Sequence, residues 1–404
     1  MNFSTMELLF ACFLCFFSLF VSGFRPDFPL LDFEEGYNPL FGDDNLVVLK
    51  DGKSVHLHLD ERTGSGFVSQ DLYLHGFFSA SIKLPSDYTA GVVVAFYMSN
   101  GDMFAKNHDE IDFEFLGNIR GKDWRIQTNI YGNGSTSIGR EERYGLWFDP
   151  SEDFHEYTIL WTQSLIMNAS FPSLIDVGSH NLLLLGVNVL AGTPLRNPTS
   201  LLAHRSVTGS DTICNSPSPP LAHSVLFELS LWDFPSRFYV DNVPIREVKR
   251  TATMGGDFPS KPMTLYATIW DGSTWATNGG KYKVNYKYAP YIAEFSDFIL
   301  HGCAIDPTDQ SSSCDHYQNS NPIPSGITPS QRAKMETLRK KHLTYSYCYD
   351  RIRYKAPPPE CVINPAEAER LRVFDPVTFG KGRRHRGKIH HHSLLNQAES
   401  TASA

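Results

Sequence analysis

Short alternations of apolar and polar residues recur along this chain between Gly, Pro, Asn and Asp turns. Asn45-Leu46-Val47-Val48-Leu49, Val55-His56-Leu57-His58-Leu59 and Phe77-Phe78-Ser79-Ala80-Ser81-Ile82-Lys83-Leu84 are of strand length. Successive side chains of a strand point to opposite faces, so each stretch predicts a strand with one buried side. Gly91-Val92-Val93-Val94-Ala95-Phe96-Tyr97-Met98 is apolar throughout and predicts a central strand covered on both faces. Further strands are expected at 124–131 and 265–270. No long amphipathic helix precedes residue 329; from Pro329 to Tyr347 the spacing of Ala333, Leu338, Leu343 and Tyr345 among Lys and Arg predicts one helix. The pattern as a whole predicts an all-β sandwich of two antiparallel sheets.

One alternation differs from the rest. In His108-Asp109-Glu110-Ile111-Asp112-Phe113-Glu114-Phe115-Leu116-Gly117, the even positions His108, Glu110, Asp112 and Glu114 share one face, while Ile111, Phe113 and Phe115 share the other. Three carboxylates in a row repel and raise one another's pKa, so such a strand is costly unless it lines a wet cleft that needs the charges. A solvated acidic edge strand would explain the alternation, but not the triple carboxylate backed by large apolar residues. Glycoside hydrolysis with retention requires two carboxyls roughly 5–5.5 Å apart, one to attack the anomeric carbon and one to protonate the leaving oxygen. Glu110 and Glu114 stand about 13 Å apart at their Cα atoms on a flat strand. A curved sheet would bring their long side chains together over Asp112.

The decapeptide resembles the active-site strand of glycoside hydrolase family 16, in the form carried by the xyloglucan endotransglucosylase/hydrolases of plant cell walls. The resemblance implies Glu110 as nucleophile, Asp112 as its helper and Glu114 as acid/base. It also implies a jelly roll of two curved antiparallel sheets with a short C-terminal helical, disulfide-bonded extension. Substrate contacts are expected from His108 and from Gln127, Thr128 and Asn129, although Gln127 and Asn129 also read as plain ladder-side amides. Arg140 and Glu141, in Gly139-Arg140-Glu141-Glu142-Arg143, match a charged family segment near the donor sugars, with a solvated charge run as the plain alternative. On the acceptor side the family places the loop Asp271-Gly272-Ser273-Thr274-Trp275-Ala276-Thr277-Asn278-Gly279-Gly280. From it Thr274, Trp275 and Gly279, with Trp270 beside it, are candidate contacts, since flat indoles suit the apolar faces of sugar rings. Core packing is the alternative for both tryptophans. Arg353 is a further candidate.

Composition and targeting signals add the setting. The run 7–21 has the length of a signal-peptide core and Val21-Ser22-Gly23 supplies small residues for cleavage, although the preceding residues hold no Lys or Arg. A secreted protein is expected: signal 1–23, catalytic domain 24–300, extension 301–362 and tail 363–404. Asn133-Gly134-Ser135 is a glycosylation sequon. Beyond the signal there are five cysteines, Cys214, Cys303, Cys314, Cys348 and Cys361, an odd number for a secreted chain. Four of these allow three pairings; the family resemblance implies Cys303 with Cys314 and Cys348 with Cys361. Cys214 lies in an insert of about 70 residues, 168–237, rich in Ser, Pro and Leu, between two pieces that family members join directly. It reads as translated intron or misassigned exon sequence; a real surface excursion, with a second sequon at Asn168, is the alternative.

The tail Lys381-Gly382-Arg383-Arg384-His385-Arg386-Gly387-Lys388 with His390-His391-His392 is expected to be disordered, and it could bind acidic pectin weakly. A formal net charge of −8 says little beyond solubility. No cofactor, metal or nucleic acid is implied, and a monomer free of the membrane after signal cleavage is expected. The expected function is transfer of cleaved xyloglucan ends to other xyloglucan chains in the wall, with the endohydrolase reading close behind. A catalytically impaired wall-polysaccharide-binding protein and a mixed-linkage or β-1,3-glucanase are the remaining alternatives.

Overall fold

The computed structural model describes residues 28–162, 236–254, 257–306, 314 and 326–373. The signal segment, the sequon at Asn168, Cys214 and residues 374–404 of the tail lie outside the described residues. The chain partitions into one unit of residues 1–165 with 232–404 and another of 166–231; the account below concerns the first.

Among the described residues fifteen strands form two antiparallel sheets: β1 (Tyr37–Phe41), β2 (Leu46–Val48), β3 (Val55–Leu59), β4 (Ser65–Ser69), β5 (Leu72–Lys83), β6 (Val92–Ser99), β7 (Glu110–Leu116), β8 (Arg125–Tyr131), β9 (Glu142–Gly145), β10 (His155–Trp161), β11 (Ser236–Val240), β12 (Val243–Val248), β13 (Thr264–Asp271), β14 (Tyr291–Ile305) and β15 (Leu343–Ser346). The front sheet runs β1-β4-β13-β6-β7-β8-β9-β15 and the back sheet β12-β11-β10-β5-β14-β3-β2. This is the expected jelly-roll sandwich, and β6 is buried on both faces as its unbroken apolar run requires.

The acidic strand lies inside the front sheet. Ile111, Phe113 and Phe115 of β7 are fully buried between the sheets, each contributing about 1.5–3 kcal/mol. Phe113 meets Phe238 edge-on at 5.1 Å and Phe115 meets Tyr157 at 4.6 Å. The hairpin of β10 and β11 therefore backs the acidic strand. That hairpin spans the expected insert, and it is paired from Tyr157↔Val240 to Leu160↔Arg237, with Ser236 and Arg237 inside β11.

Two helices follow. α1 (Pro329–His342) starts on a capping box between Thr328 and Gln331 and ends in Arg339, Lys340, Lys341 and His342, which suit the negative end of the helix dipole. It stops five residues before the expected Tyr347. Leu343 and Tyr345 alternate rather than follow a helical stripe, and both bury as β15 pairs with β9 at the sheet edge. Met335, not Ala333, is the buried anchor of the helix. α2 (Pro365–Val373) corrects the expectation of a disordered tail from residue 363: its first part is helical, and Leu371 is buried in the main core. Disulfides join Cys303 to Cys314 and Cys348 to Cys361.

Candidate active site

In β7 the register aligns each carboxylate with a polar neighbour on β8: Glu110 with Tyr131, Asp112 with Asn129, Glu114 with Gln127. On the other side β6 sets Ser99 beside Glu110, Tyr97 beside Asp112 and Ala95 beside Glu114. The period of two thus carries one polar face across three strands. Tyr97 stacks on Tyr266 of β13 with ring centroids 5.0 Å apart, extending that face as an aromatic floor.

Each carboxyl has its own environment. Glu110 Oε2 accepts from Ser99 Oγ at 3.0 Å and lies 3.9 Å from His108 Nε2, which in turn shares a 2.8 Å hydrogen bond with the Tyr131 hydroxyl. Burial raises the Glu110 pKa, opposed by a bond from Tyr131 and by His108. Asp112 is pushed well above the usual carboxylate range, first by burial and then by the charges of Glu110 and Glu114. Glu114 accepts from Gln127 Nε2, and Arg143 Nε donates to Gln127 Oε1 at 2.6 Å. Burial raises the Glu114 pKa to about 7 against the lowering effect of Gln127. Three like groups so close do not all ionise together. A neutral Asp112 can donate a hydrogen bond, and such a bond to Glu110 favours its charged form against the burial that raises its pKa.

Beyond Glu114 the same face turns apolar. Leu116, Val93, Ala276, Trp270 and Trp275 cluster, with the two indoles 6.1 Å apart at 42°. Both tryptophans are half-buried, so part of each ring packs and part faces out. The loop that carries Trp275 also exposes Thr274 and Gly279. Gly280 folds it back at φ +77°, where a Cβ would lie 2.4 Å from the Thr274 carbonyl oxygen.

Not every expected contact reaches this face. Thr128 stands between Gln127 and Asn129 and so points inward, where its hydroxyl and carbonyl accept from Arg246 at 2.9 Å. Arg140 is 1% exposed, with Nε on Glu360 at 2.5 Å and Nη2 near Asp257 at 3.5 Å. It faces an ion-pair network rather than a sugar. His108 is buried, with its Nε2 3.9 Å from Glu110 Oε2 and hydrogen-bonded to the Tyr131 hydroxyl. Arg353 reaches Glu141 in an ion pair at the rim of the face, so these two are engaged with each other. Asn129 is half-buried, its Oδ1 accepting from the Arg140 backbone at 2.8 Å. Asn133 is exposed at a turn whose backbone N–H donates to Asp109.

Sequence reasoning missed Tyr131, Tyr97 and Ser99, which extend the parity of Asn129 and of β6, and it missed Asp109. The Asp109 carboxylate is fully buried and accepts from the backbone N–H groups of Asn133, Ser260 and Lys261 and from Lys261 Nζ at 2.6–2.8 Å. It ties two loops to the start of β7.

A family model described as Glycosyl hydrolases family 16 matches residues 33–168 and 231–288, and one described as Xyloglucan endo-transglycosylase (XET) C-terminus matches 312–361. The probable xyloglucan endotransglucosylase/hydrolase protein 28 of Arabidopsis thaliana is 57% identical over 396 residues, covering 96% of this chain and 98% of that relative. Protein 27 of the same plant is 57% identical over 395 residues, with 97% of each covered. Among solved structures, a prokaryotic beta-1,3-1,4-glucanase (lichenase) from a mouse hindgut metagenome aligns at 19% identity and a TM-score of 0.41, covering 68% of this chain and 97% of that one.

Proposed function

From the premise that this chain belongs to the xyloglucan endotransglucosylase/hydrolases of glycosyl hydrolase family 16, we propose that it cleaves the β-1,4-glucan backbone of xyloglucan with retention and transfers the new end to a second xyloglucan chain. The observation that carries the reading is β7, with Glu110, Asp112 and Glu114 on one polar face and a distinct partner set for each. Glu110 attacks the anomeric carbon. Ser99, Tyr131 and protonated Asp112 donate to its carboxylate and so limit the charge it must carry unaided. Glu114 protonates the departing glycosidic oxygen, and its pKa near 7 keeps a large fraction acidic at the mildly acid pH expected of a plant wall.

In the second half the glycosyl ester on Glu110 meets a sugar hydroxyl, Glu114 removes that proton, and a second inversion restores the starting configuration. Hydrolysis is the same step with water. Transfer wins where an acceptor is held in line, because positioning converts a bimolecular encounter into an effectively unimolecular one. Trp275 and Trp270 offer the exposed apolar surface for that acceptor. Secretion into the wall is supported by the N-terminal apolar run, the exposed sequon at Asn133 and two disulfides.

The alkaline limb of kcat/KM for chain transfer is expected near pH 7, since a raised carboxyl pKa keeps Glu114 protonated below that value and the acid form is lost above it. Glu114→Gln should remove the limb along with about 10²–10⁴ of the rate. A pH–rate series following both transfer to a labelled xyloglucan oligosaccharide and release of reducing ends tests this; a limb that persists in Glu114→Gln would refute the assignment. Trp275→Ala is expected to raise the acceptor KM about tenfold, roughly 1.4 kcal/mol of lost stacking, and to shift the product ratio toward reducing ends. An unchanged ratio would remove Trp275 from the acceptor surface.

A further inference from the structure

The side of the cleft nearest Glu114 is built from two parts of the chain far apart in sequence. One is β9 and the residue before it, with Glu141 and Arg143; the other is β15 and its following turn, with Tyr345, Asp350 and Arg353. Arg143 Nε bonds to Gln127 Oε1, and Gln127 Nε2 bonds to Glu114. An arginine only donates, so the oxygen of the Gln127 amide must face Arg143 and its NH₂ must face Glu114. The Arg143 guanidinium lies over the Tyr345 ring, 4.8 Å from its centroid. The Tyr345 hydroxyl donates to Asp350 Oδ2 at 2.9 Å, and Asp350 Oδ1 accepts from the Arg353 backbone at 2.9 Å. Arg353 reaches on to Glu141.

We propose that Arg143 is a positioning residue for Glu114, acting through Gln127, and that Tyr345 and Arg353 of the C-terminal extension hold Arg143 and Glu141 in place for that task. This rests on the reading of Glu114 as acid/base. Glu114 shares its face of β7 with Asp112 and Glu110, stands opposite Gln127 on β8 and Ala95 on β6, and feels the charges of Glu141, Glu110 and Arg143. Arg143 is linked to it by hydrogen bonds through Gln127, while Arg353 pairs with the anion Glu141. The Arg143 charge lowers the proton affinity of Glu114 against the burial and carboxylates that raise it, and Arg353 pairs with one of those carboxylates, Glu141. The extension thereby acts on the chemistry.

The test compares Arg143→Met, Arg143→Lys, Tyr345→Ala and Glu114→Gln in the full chain, with kcat and KM for transfer across pH and a melting curve for each. Removing the Arg143 cation should move the alkaline limb up by about one pH unit, a tenfold change in the acid-to-base ratio of Glu114, with donor KM within about twofold of the parent. Arg143→Lys, which keeps the charge, should bring the limb back toward the parent, and Tyr345→Ala should move it in the direction of Arg143→Met. A limb unmoved in Arg143→Met, with the loss confined to KM or to the melting temperature, overturns the proposal and leaves Arg143 a sugar contact or a structural residue. A limb that survives in Glu114→Gln overturns the acid/base reading as well, so the two failures are told apart.

Discussion

Glu110→Ala is expected to lower kcat for both transfer and hydrolysis by about 10⁴-fold or more, the scale seen when a covalent nucleophile is removed, without lowering the melting temperature. The reason lies in the site's own electrostatics. Burial makes the charge on Glu110 costly to hold, and that charge in turn raises the pKa of Asp112 and Glu114, so the folded state loses little when it goes. The space it leaves lies beneath the anomeric carbon. Azide placed there can displace the leaving chain once, forming a glycosyl azide of inverted configuration. In Glu114→Ala the glycosyl-enzyme still forms on substrates with good leaving groups, and azide then attacks it from the opposite side, giving retained configuration. Product stereochemistry in the two variants therefore separates nucleophile from acid/base. Retained azide from Glu110→Ala would sink the assignment.

The second large effect concerns stability. Glu142 is buried on the inner side of β9, where Arg339 of α1 meets both carboxylate oxygens at 2.6 and 2.8 Å and Arg246 approaches to 3.4 Å. Burial alone would raise its pKa, but the two arginines overcome that and hold the carboxyl at about 2. Glu142→Gln leaves Arg339 and Arg246 without their counter-charge. Breaking a buried pair from one side costs about 3–5 kcal/mol, read as a lower urea midpoint at unchanged slope. The pH dependence has a definite sign. A depressed folded-state pKa stabilises fully above the unfolded value near 4.5 and is lost as pH falls toward about 2. The parent should lose stability across that window and Glu142→Gln should lose much less. Equal acid sensitivity in both would show that Glu142 does not carry the effect.

How much of this was legible from the residues depends on how far apart the partners lie. The carboxylate face of β7 follows from a period of two within seven residues, and the same parity, applied strictly, already turns Thr128 away from Gln127 and Asn129. Tyr131 and Ser99 continue parities that the sequence contains. Arg140 is another matter. Its partners Glu360 and Asp257 lie 220 and 117 residues away, and nothing local distinguishes an arginine bound for a sugar from one bound for a buried carboxylate. The end of α1 shows local and tertiary terms in competition. Lysines and arginines up to His342 favour helix, but Leu343 and Tyr345 gain more by completing the edge of the front sheet.

The sequence by itself therefore determined the two-sheet class, the acidic strand with its polar and apolar faces, and, through the resemblance, the local disulfides. Those features rest on periodicity and on short separations, where neighbours along the chain are also neighbours in space. Only the tertiary structure decided that Arg140 is sealed in an ion-pair network, that Asp109 ties two loops to the strand, and that the C-terminal extension reaches Glu114 through Tyr345, Arg143 and Gln127. The reason is that a charged side chain takes its meaning from whichever partners fold against it, and packing rather than sequence order chooses them.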